Sequence, residues 1–333
     1  MKLLVCGGAG FIGSNFVRQR ITEHGDEVVV LDKLTYAGRE ENLADVKDSA
    51  GFAFIRAGIE DADAVREAME GRDAVVNFAA ETHVDRSIAE PDAFVTTHAQ
   101  GTYVLLEAAR AAGLRYVQVS TDEVYGSIDT GSFTEESPLA PSSPYSATKA
   151  GADLLVWSYF HTYGLPTLIA RGSNNYGPFQ YPEKLIPLMI LNALHGDKLP
   201  VYGDGMQVRN WIYVEDFARA IGHVLEHGEP GNVYNAGGPD ECANLEVVQR
   251  IIQLTGGDES LIEYVTDRPG HDRRYSLGSE KARALGWEAQ VRFADGLERT
   301  VAWYRDNRAW WEPIRSGDYR AYYERQYGKA LGT

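Results

Sequence analysis

Val5-Cys6-Gly7-Gly8-Ala9-Gly10-Phe11-Ile12-Gly13 is the stretch that decides the fold. It satisfies G-x-x-G-x-x-G and also the offset pattern G-x-G-x-x-G. A short apolar run, Leu3 to Cys6, precedes it and reads as a strand; a helical pattern from Ile12 to Glu23 follows. Glycines at these spacings permit a tight turn, close approach of backbone to a pyrophosphate, and tight packing of helix on strand. The helix N-terminus then directs free N–H groups at the phosphates. Asp32 lies nineteen residues after Gly13, at the end of the next apolar run, where a carboxylate binds ribose hydroxyls. A carboxylate there repels a 2′-phosphate, so NAD is expected rather than NADP. Lys33 and Arg39 could tolerate such a phosphate, but each reads better as a solvated loop charge.

The strand–helix alternation continues outward from this run. Glu27 to Leu31, Phe52 to Ile55, Ala74 to Phe78 and Tyr116 to Ser120 read as strands, and Ala62 to Met69 and Ala99 to Ala112 as helices. Near-continuous apolar strands separated by helices indicate a parallel sheet covered on both faces. The expected class is therefore α/β, a Rossmann-type doubly wound parallel sheet. A long helix is expected from Tyr145 to about Tyr163, then a strand from Thr167 to Arg171. Beyond Asn174 the texture changes: Pro178, Pro182, Pro187 and Pro200 break the pattern, and Gly203-Asp204-Gly205 marks a turn. A smaller mixed α/β lobe begins there, with helices expected near Leu245 to Leu254 and from Phe293 to Trp311. Trp211 to Leu225 returns to the first lobe's strand–helix pattern. The expected division is 1–173 with 212–236 for the dinucleotide lobe, 174–211 with 237–315 for the substrate lobe, and 316–333 as a tail.

Composition bounds the function. The chain has 333 residues, 44% hydrophobic and 24% charged, and a formal charge of −16. Such an acidic body argues against a nucleic-acid binder or a membrane-surface protein, so any phosphate site must be a local cationic pocket. The two cysteines, Cys6 and Cys242, lie far apart, and Cys6 in an apolar strand reads as a buried inert thiol. Met1 runs directly into the first strand without room for a signal peptide. A cytoplasmic protein is expected, and no metal.

Tyr145-Ser146-Ala147-Thr148-Lys149 reads Tyr-x-x-x-Lys, which sets an ammonium one helical turn past a phenol on the same face. A free tyrosine, with a pKa of about 10, is a poor base near neutrality. A nearby lysine cation favours the phenolate and can bring it into working range. That pair suits removal of a hydroxyl proton while the attached carbon gives up hydride. Pro144 fits a helix start at Tyr145. Thr121-Asp122-Glu123 follow a strand, at the carboxyl edge where such folds place ligands. Adjacent side chains on a strand face opposite ways. For both carboxyls to reach one substrate the chain must leave the strand at about Thr121, and Gly126 supports such a turn. Plain alcohol oxidation does not need two adjacent carboxyl groups. An acid and a base beside a redox centre suggest elimination of water.

These residues resemble the extended short-chain dehydrogenase/reductase superfamily, and within it the dTDP-glucose 4,6-dehydratases, from Met1 to about Trp311. The resemblance is carried by the stretches Asp32 to Gly38, Phe78 to Ser87, Ser120 to Gly126, Asn174 to Pro178, Pro182 to Pro187 and Asp267 to Tyr275. It implies NAD-dependent conversion of dTDP-glucose to dTDP-4-keto-6-deoxyglucose. Tyr145 would take the C4 hydroxyl proton, with Thr121 bonded to the same hydroxyl, as hydride passes to NAD+. Glu123 would remove the C5 proton and a protonated Asp122 would help the C6 hydroxyl leave, before hydride returns to C6. Asp122 can hold that proton only if raised from about 3.9; Glu123 beside it and exclusion of water supply that direction.

For the cofactor the resemblance implies Gly7, Gly10, Phe11, Ile12 and Gly13, then Asp32, Lys33, Leu34, Thr35 and Gly38. It adds Gly58, Ile59, Phe78, Ala79, Ala80, Thr82 and Thr97, and finally Ser120, Tyr145, Lys149 and Asn174. For the nucleotide sugar it implies Thr82, His83, Arg86, Thr121, Asn175, Lys184 and Leu185. Pro200, Tyr202, Arg209, Asn244, Arg268, His271 and Tyr275 complete that set, and Trp303, Trp310 and Trp311 read as core. It also implies a homodimer formed by two helices per subunit, Ala99 to Ala112 and Ser146 to Tyr163. In the second helix Ala150, Leu154, Trp157 and Tyr159 give more apolar surface than one sheet contact needs, although Leu154 reads strongly as sheet-facing.

Four positions depart from the family pattern. Gly58 stands where an aspartate usually contacts adenine, His98 replaces a common asparagine, Thr82 a common serine, and Gly278 an aspartate. Gly58 puts adenine recognition in question. Related nucleotide-sugar 4-epimerases share the glycine loop and Tyr-x-x-x-Lys but lack the Asp-Glu pair. A 4,6-dehydratase acting on UDP-glucose is a further alternative, because sequence separates thymine from uracil poorly. A non-catalytic NAD-sensing protein would need a broken site, whereas Thr121, Asp122, Glu123, Tyr145 and Lys149 are all present.

Overall fold

The computed structural model describes residues 1–316, Tyr323 and Gly328, so nearly all of the expected tail lies outside the described residues. The strands are β1 Lys2–Cys6, β2 Glu27–Leu31, β3 Phe52–Ile55, β4 Ala74–Asn77, β5 Arg115–Thr121 and β6 Thr167–Gly172. After them come β7 Asn174–Tyr176, β8 Leu199–Tyr202, β9 Val208–Tyr213, β10 Val233–Ala236, β11 Asp240–Ala243 and β12 Ile262–Val265. One seven-stranded sheet has the order β10-β6-β5-β4-β1-β2-β3, and every neighbouring pair in it is parallel. Side chains alternate across such a sheet. Leu3 and Val5 of β1 therefore join the core under the helices Phe11–Thr22 and Val214–His227, while Leu4 and Cys6 join the core on the opposite face. Both alternate sets are apolar, which is why β1 reads as an unbroken hydrophobic run and why helices cover both faces. The strand order reverses between β1 and β4, and the crevice of a doubly wound sheet opens at that point.

Cys6 and Cys242 are both buried and free, and burial pushes both thiols up, as an inert role requires. The helix Pro144–Tyr163 begins where the proline fixes it. Pro144 occupies its first turn, and Ser143 and Ser146 cap each other's backbone N–H at 3.1 Å. Two helix expectations need correction. The turns before Thr102–Ala112 are not regular α-helix: Thr96–Gly101 is wound as a π-helix. The stretch Phe293 to Trp311 is two helices, Phe293–Asp306 and Arg308–Ser316. Asn307 breaks it with ψ 42°, and its side chain donates back to the Trp303 carbonyl at 2.9 Å.

The smaller lobe carries the sheet β11-β9-β7 and the pair β12-β8. Its core gathers Tyr176, Trp211, Phe293 and Trp311, with Trp303 and Trp310 partly buried against it. Ala282 and Trp287 pack instead in the first lobe's core, although they fall within 237–315.

Candidate active site

Gly7 follows β1 with φ 72°, and a Cβ there would lie 2.5 Å from the Ala79 amide nitrogen after β4. Only glycine accommodates both the turn and the approach of the two strands' ends. A Cβ at Gly13 would lie 2.3 Å from the Gly7 carbonyl oxygen, so the helix starts pressed onto this loop. No side chain caps the N-terminus of Phe11–Thr22, which leaves its N–H groups open to an anion. Asp32 stands one residue past β2 and is held by two backbone donors, Ala9 N–H at 3.0 Å and Leu34 N–H at 2.8 Å. Burial nevertheless pushes its carboxyl upward.

All the expected cofactor residues except Leu34 line one continuous cavity that also reaches Thr121, Asp122 and Glu123. Leu34, at φ 56°, supports Asp32 through its N–H while its side chain packs on the core. Lys33 is not a solvated loop charge. Its ammonium lies 3.6 Å from both Glu60 and Glu81 and donates to Thr97 at 3.2 Å. A 2′-phosphate beside Asp32 would meet a cation already matched by two carboxylates. Glu60, Glu81, Ser173, Gln180 and Tyr181 also line the cavity and were missed. Glu81 lies inside the quoted stretch Phe78 to Ser87; the other four carry no local motif.

At the catalytic end β5 terminates at Thr121, and Asp122–Tyr125 form a single 3₁₀ turn. Thr121 Oγ1 accepts from the Glu123 N–H at 3.3 Å, and Gly126 at φ 81° turns the chain away. Both carboxyls thereby reach the same cavity. Thr121 Oγ1 donates to Asp122 Oδ1 at 3.2 Å, while Asp122 Oδ2 is buried without a partner among the described residues. Burial, reinforced by the Glu123 charge and opposed by Arg209, pushes the Asp122 carboxyl up to about 8. Burial also raises Glu123, against the pull of Arg268, Lys184 and Arg209.

Tyr145 and Lys149 face the cavity from the first turns of the helix Pro144–Tyr163. Lys149 does not bring the phenolate into working range in the protein alone. Its ammonium donates to the Val119 carbonyl at 2.7 Å, and burial pulls it down to about 8 despite Asp153. Tyr145 is shifted upward by burial and then by the Glu123 charge, with its hydrogen bond to Thr121 acting the other way.

On the sugar side, Thr82, Thr121, Asn175 and Lys184 line the cavity directly, and Lys184 donates to the Thr82 carbonyl. The other expected contacts do not line it; of them Arg209, Arg268 and Tyr275 lie near enough to Glu123 to interact with its charge. Arg268 pairs with Asp85 at 3.2 Å, and Tyr202 donates to the same carboxylate at 3.1 Å. Arg209 donates to the Asp272 carbonyl at 2.9 Å and lies 4.2 Å over the Tyr275 ring. His271 sits 2.6 Å from Asp267, and Arg86 bonds Glu183 at 3.1 Å while covering Tyr36. His83 is buried and held well below its ordinary pKa by burial and by Lys184. Asn244, at the start of the helix Asn244–Thr255, has a buried side-chain oxygen without a partner among the described residues. Leu185 opens the helix Leu185–His195, and Pro200 lies in β8; neither contributes a charge.

Known proteins resemble this chain over nearly its whole length. Residues 4–300 match the family described as GDP-mannose 4,6 dehydratase. The chain is 52% identical to a dTDP-glucose 4,6-dehydratase of Streptomyces niveus over 325 residues, 96% of this chain and 97% of that protein. It is 54% identical to the low-salt glycan biosynthesis protein Agl12 of Haloferax volcanii, over 91% of this chain and 98% of that protein. Among solved structures, the dTDP-glucose 4,6-dehydratase DesIV of Streptomyces venezuelae with NAD bound superposes with a TM-score of 0.93. The two are 53% identical, over 94% of this chain and all of that one.

Proposed function

The chain belongs to the GDP-mannose 4,6-dehydratase family, and within it we propose that it dehydrates dTDP-glucose to dTDP-4-keto-6-deoxyglucose. The observation that carries this reading is the buried Asp122 with the half-buried Glu123, turned into one cavity beside Tyr145. An epimerase, which only moves hydride and a hydroxyl proton at C4, has no task for two carboxyls. NAD+ would lie along Gly7 to Gly13 and Asp32, taking hydride from C4 and giving it back at C6. Tyr145 removes the C4 hydroxyl proton, with Thr121 bonded to the same hydroxyl. The C4 ketone acidifies C5–H; Glu123 takes that proton and later returns it to C5. Asp122 delivers its proton to the departing C6 hydroxyl from Oδ2, the oxygen with no partner among the described residues.

Counted over one turnover, Tyr145 gains a proton and Asp122 loses one. Thr121 touches both groups, so it is placed to carry that proton back between them. Lys184 lines the cavity where it can meet the nucleotide's diphosphate, and with Arg268 and Arg209 it opposes the upward pull of burial on Glu123. Because hydride returns within each cycle, purified protein should turn over dTDP-glucose without added oxidant, and with UDP-glucose more slowly. The 4-keto product is read by its alkaline absorbance and by mass. A 4-epimer in its place, or no reaction, would overturn the assignment.

Among the described residues no helix is long and apolar enough to cross a membrane, and we place the enzyme in the cytoplasm. We further propose a two-fold dimer. Leu154 and Trp157 do not face the sheet: they are 57% and 49% exposed, as are Val95 at 52% and Tyr103 at 51%. These residues sit on the helical segments 92–112 and 144–163, which pack side by side, and exposed apolar side chains gathered this way mark an interaction face. Covering about 800 Å² per subunit would make a stable pair. Light scattering should report twice the 36.8 kDa chain mass, and the double substitution L154E/W157E should give monomers. A wild-type monomer at micromolar concentration would sink the idea.

A further inference from the structure

The dinucleotide pocket has one wall for which the glycine fingerprint and Asp32 give no account. β3 lies beside β2, and its C-terminal end leads into Ala57, Gly58, Ile59 and Glu60, all of which line the cavity. Asp32 anchors a ribose at the neighbouring edge, so the base on that ribose must sit against this wall. A Cβ built on Gly58 would lie 2.5 Å from the carboxyl carbon and from both carboxyl oxygens of Glu60. The Glu60 carboxyl group is therefore folded back over Gly58, into the space that any side chain at 58 would fill. Lys33 holds one of its oxygens at 3.6 Å. The other, Oε2, is buried and has no hydrogen-bond partner among the described residues.

A buried carboxylate oxygen without a donor carries a large desolvation cost unless a ligand supplies the missing hydrogen bond. The wall offers no such donor, and an adenine has one, its exocyclic 6-amino group. We infer that Glu60 is the adenine-recognising residue of this chain, accepting from the 6-amino group in the place left open by Gly58. The inference rests on the cofactor reading above but concerns a residue outside the glycine fingerprint and outside the expected contacts. It also explains how a chain with glycine at position 58 can discriminate bases: the carboxylate arrives from two residues further on. Glycine is then required at 58, because a side chain there would displace Glu60. Lys33, which Glu60 shares with Glu81, holds Glu60 by charge without supplying the missing donor.

The test compares NAD with nicotinamide hypoxanthine dinucleotide, which replaces the 6-amino donor by a 6-oxo acceptor. Full-length protein is equilibrated with equal concentrations of the two, and the bound nucleotides are released and counted by chromatography. Wild type should retain NAD over the analogue by roughly tenfold to a hundredfold, the size of a hydrogen bond to a charged acceptor. E60A should bind the two about equally. E60Q should lose the preference or reverse it, because its amide can donate to the 6-oxo group. G58D in the E60A background should restore the preference, since it returns a carboxylate to the same space, and its recovery would show that E60A is folded. Discrimination unchanged in E60A would overturn this assignment alone. Wild-type protein that took up neither dinucleotide would overturn it together with the cofactor reading.

Discussion

Glu123→Gln is expected to stop water loss while leaving oxidation at C4 intact. On mixing with dTDP-glucose, reduced-nicotinamide absorbance should rise and persist, and 4-keto product formation should fall by about 10²- to 10⁴-fold, the usual weight of one acid–base group. Tyr145→Phe should fail earlier, with no absorbance change at all. The two phenotypes differ because the groups act on different protons of one substrate, and Thr121 and Asp122 keep their places in both variants. A second effect follows from the charge on Glu123. That charge raises the Tyr145 phenol, so its removal makes the phenolate easier to form. The pH profile of the oxidation step should therefore move to lower pH in Glu123→Gln, even as the overall reaction stalls. Stopped-flow absorbance at several pH values reads both. Identical traces from the two variants would show that the roles are wrongly divided.

What sequence could show here was chemistry held within one local element. Gly7 to Gly13 forms a turn and a helix start within a single stretch, and its spacing carries its function. Thr121 to Glu123 was legible for a similar reason: the end of β5 and the turn to Gly126 settle which way both carboxyls point. Pairings across the fold were not legible. Tyr36 and Arg86 meet on the two oxygens of Glu183 at 2.8 and 3.1 Å, yet one comes from a loop after β2 and the other from the short helix Val84–Ala89. Lys33 looks solvated until β3 and the π-helical turn bring Glu60 and Thr97 to it. The absence of a side chain at Gly58 was visible, but Glu60 filling the gap depends on how the backbone after β3 turns. Leu154 was misjudged because helical periodicity alone does not say which of two apolar stripes faces the sheet, and the helix carries both.

Asp122→Asn is expected to lose product formation by about 10²- to 10⁴-fold, because an amide cannot release a proton to the C6 hydroxyl. The wild-type elimination step should carry a pH limb set by this residue. With the carboxyl raised to about 8, most molecules hold the proton at neutral pH and few hold it well above pH 8. Elimination should accordingly fall as pH rises through about 8, and Asp122→Asn should remove that limb from what activity remains. Lys149 titrates in the same region, but its loss acts on C4 oxidation, so the two steps must be followed separately.

The same shift makes a stability prediction. A carboxyl whose folded pKa lies above its unfolded value contributes stability at acid pH that is lost as pH rises toward the folded value. Wild type therefore surrenders stability between about pH 4 and pH 8 to keep Asp122 buried, while an asparagine, neutral throughout, does not. Asp122→Asn should match wild type near pH 4 and exceed it by a few kcal/mol at pH 8, on the order that linkage allows for a shift of this size. Denaturant titrations at the two pH values measure the difference. A variant more stable by the same amount at both would mean that the asparagine simply packs better and that Asp122 is ionised at neutrality, which would remove it as the acid that expels water.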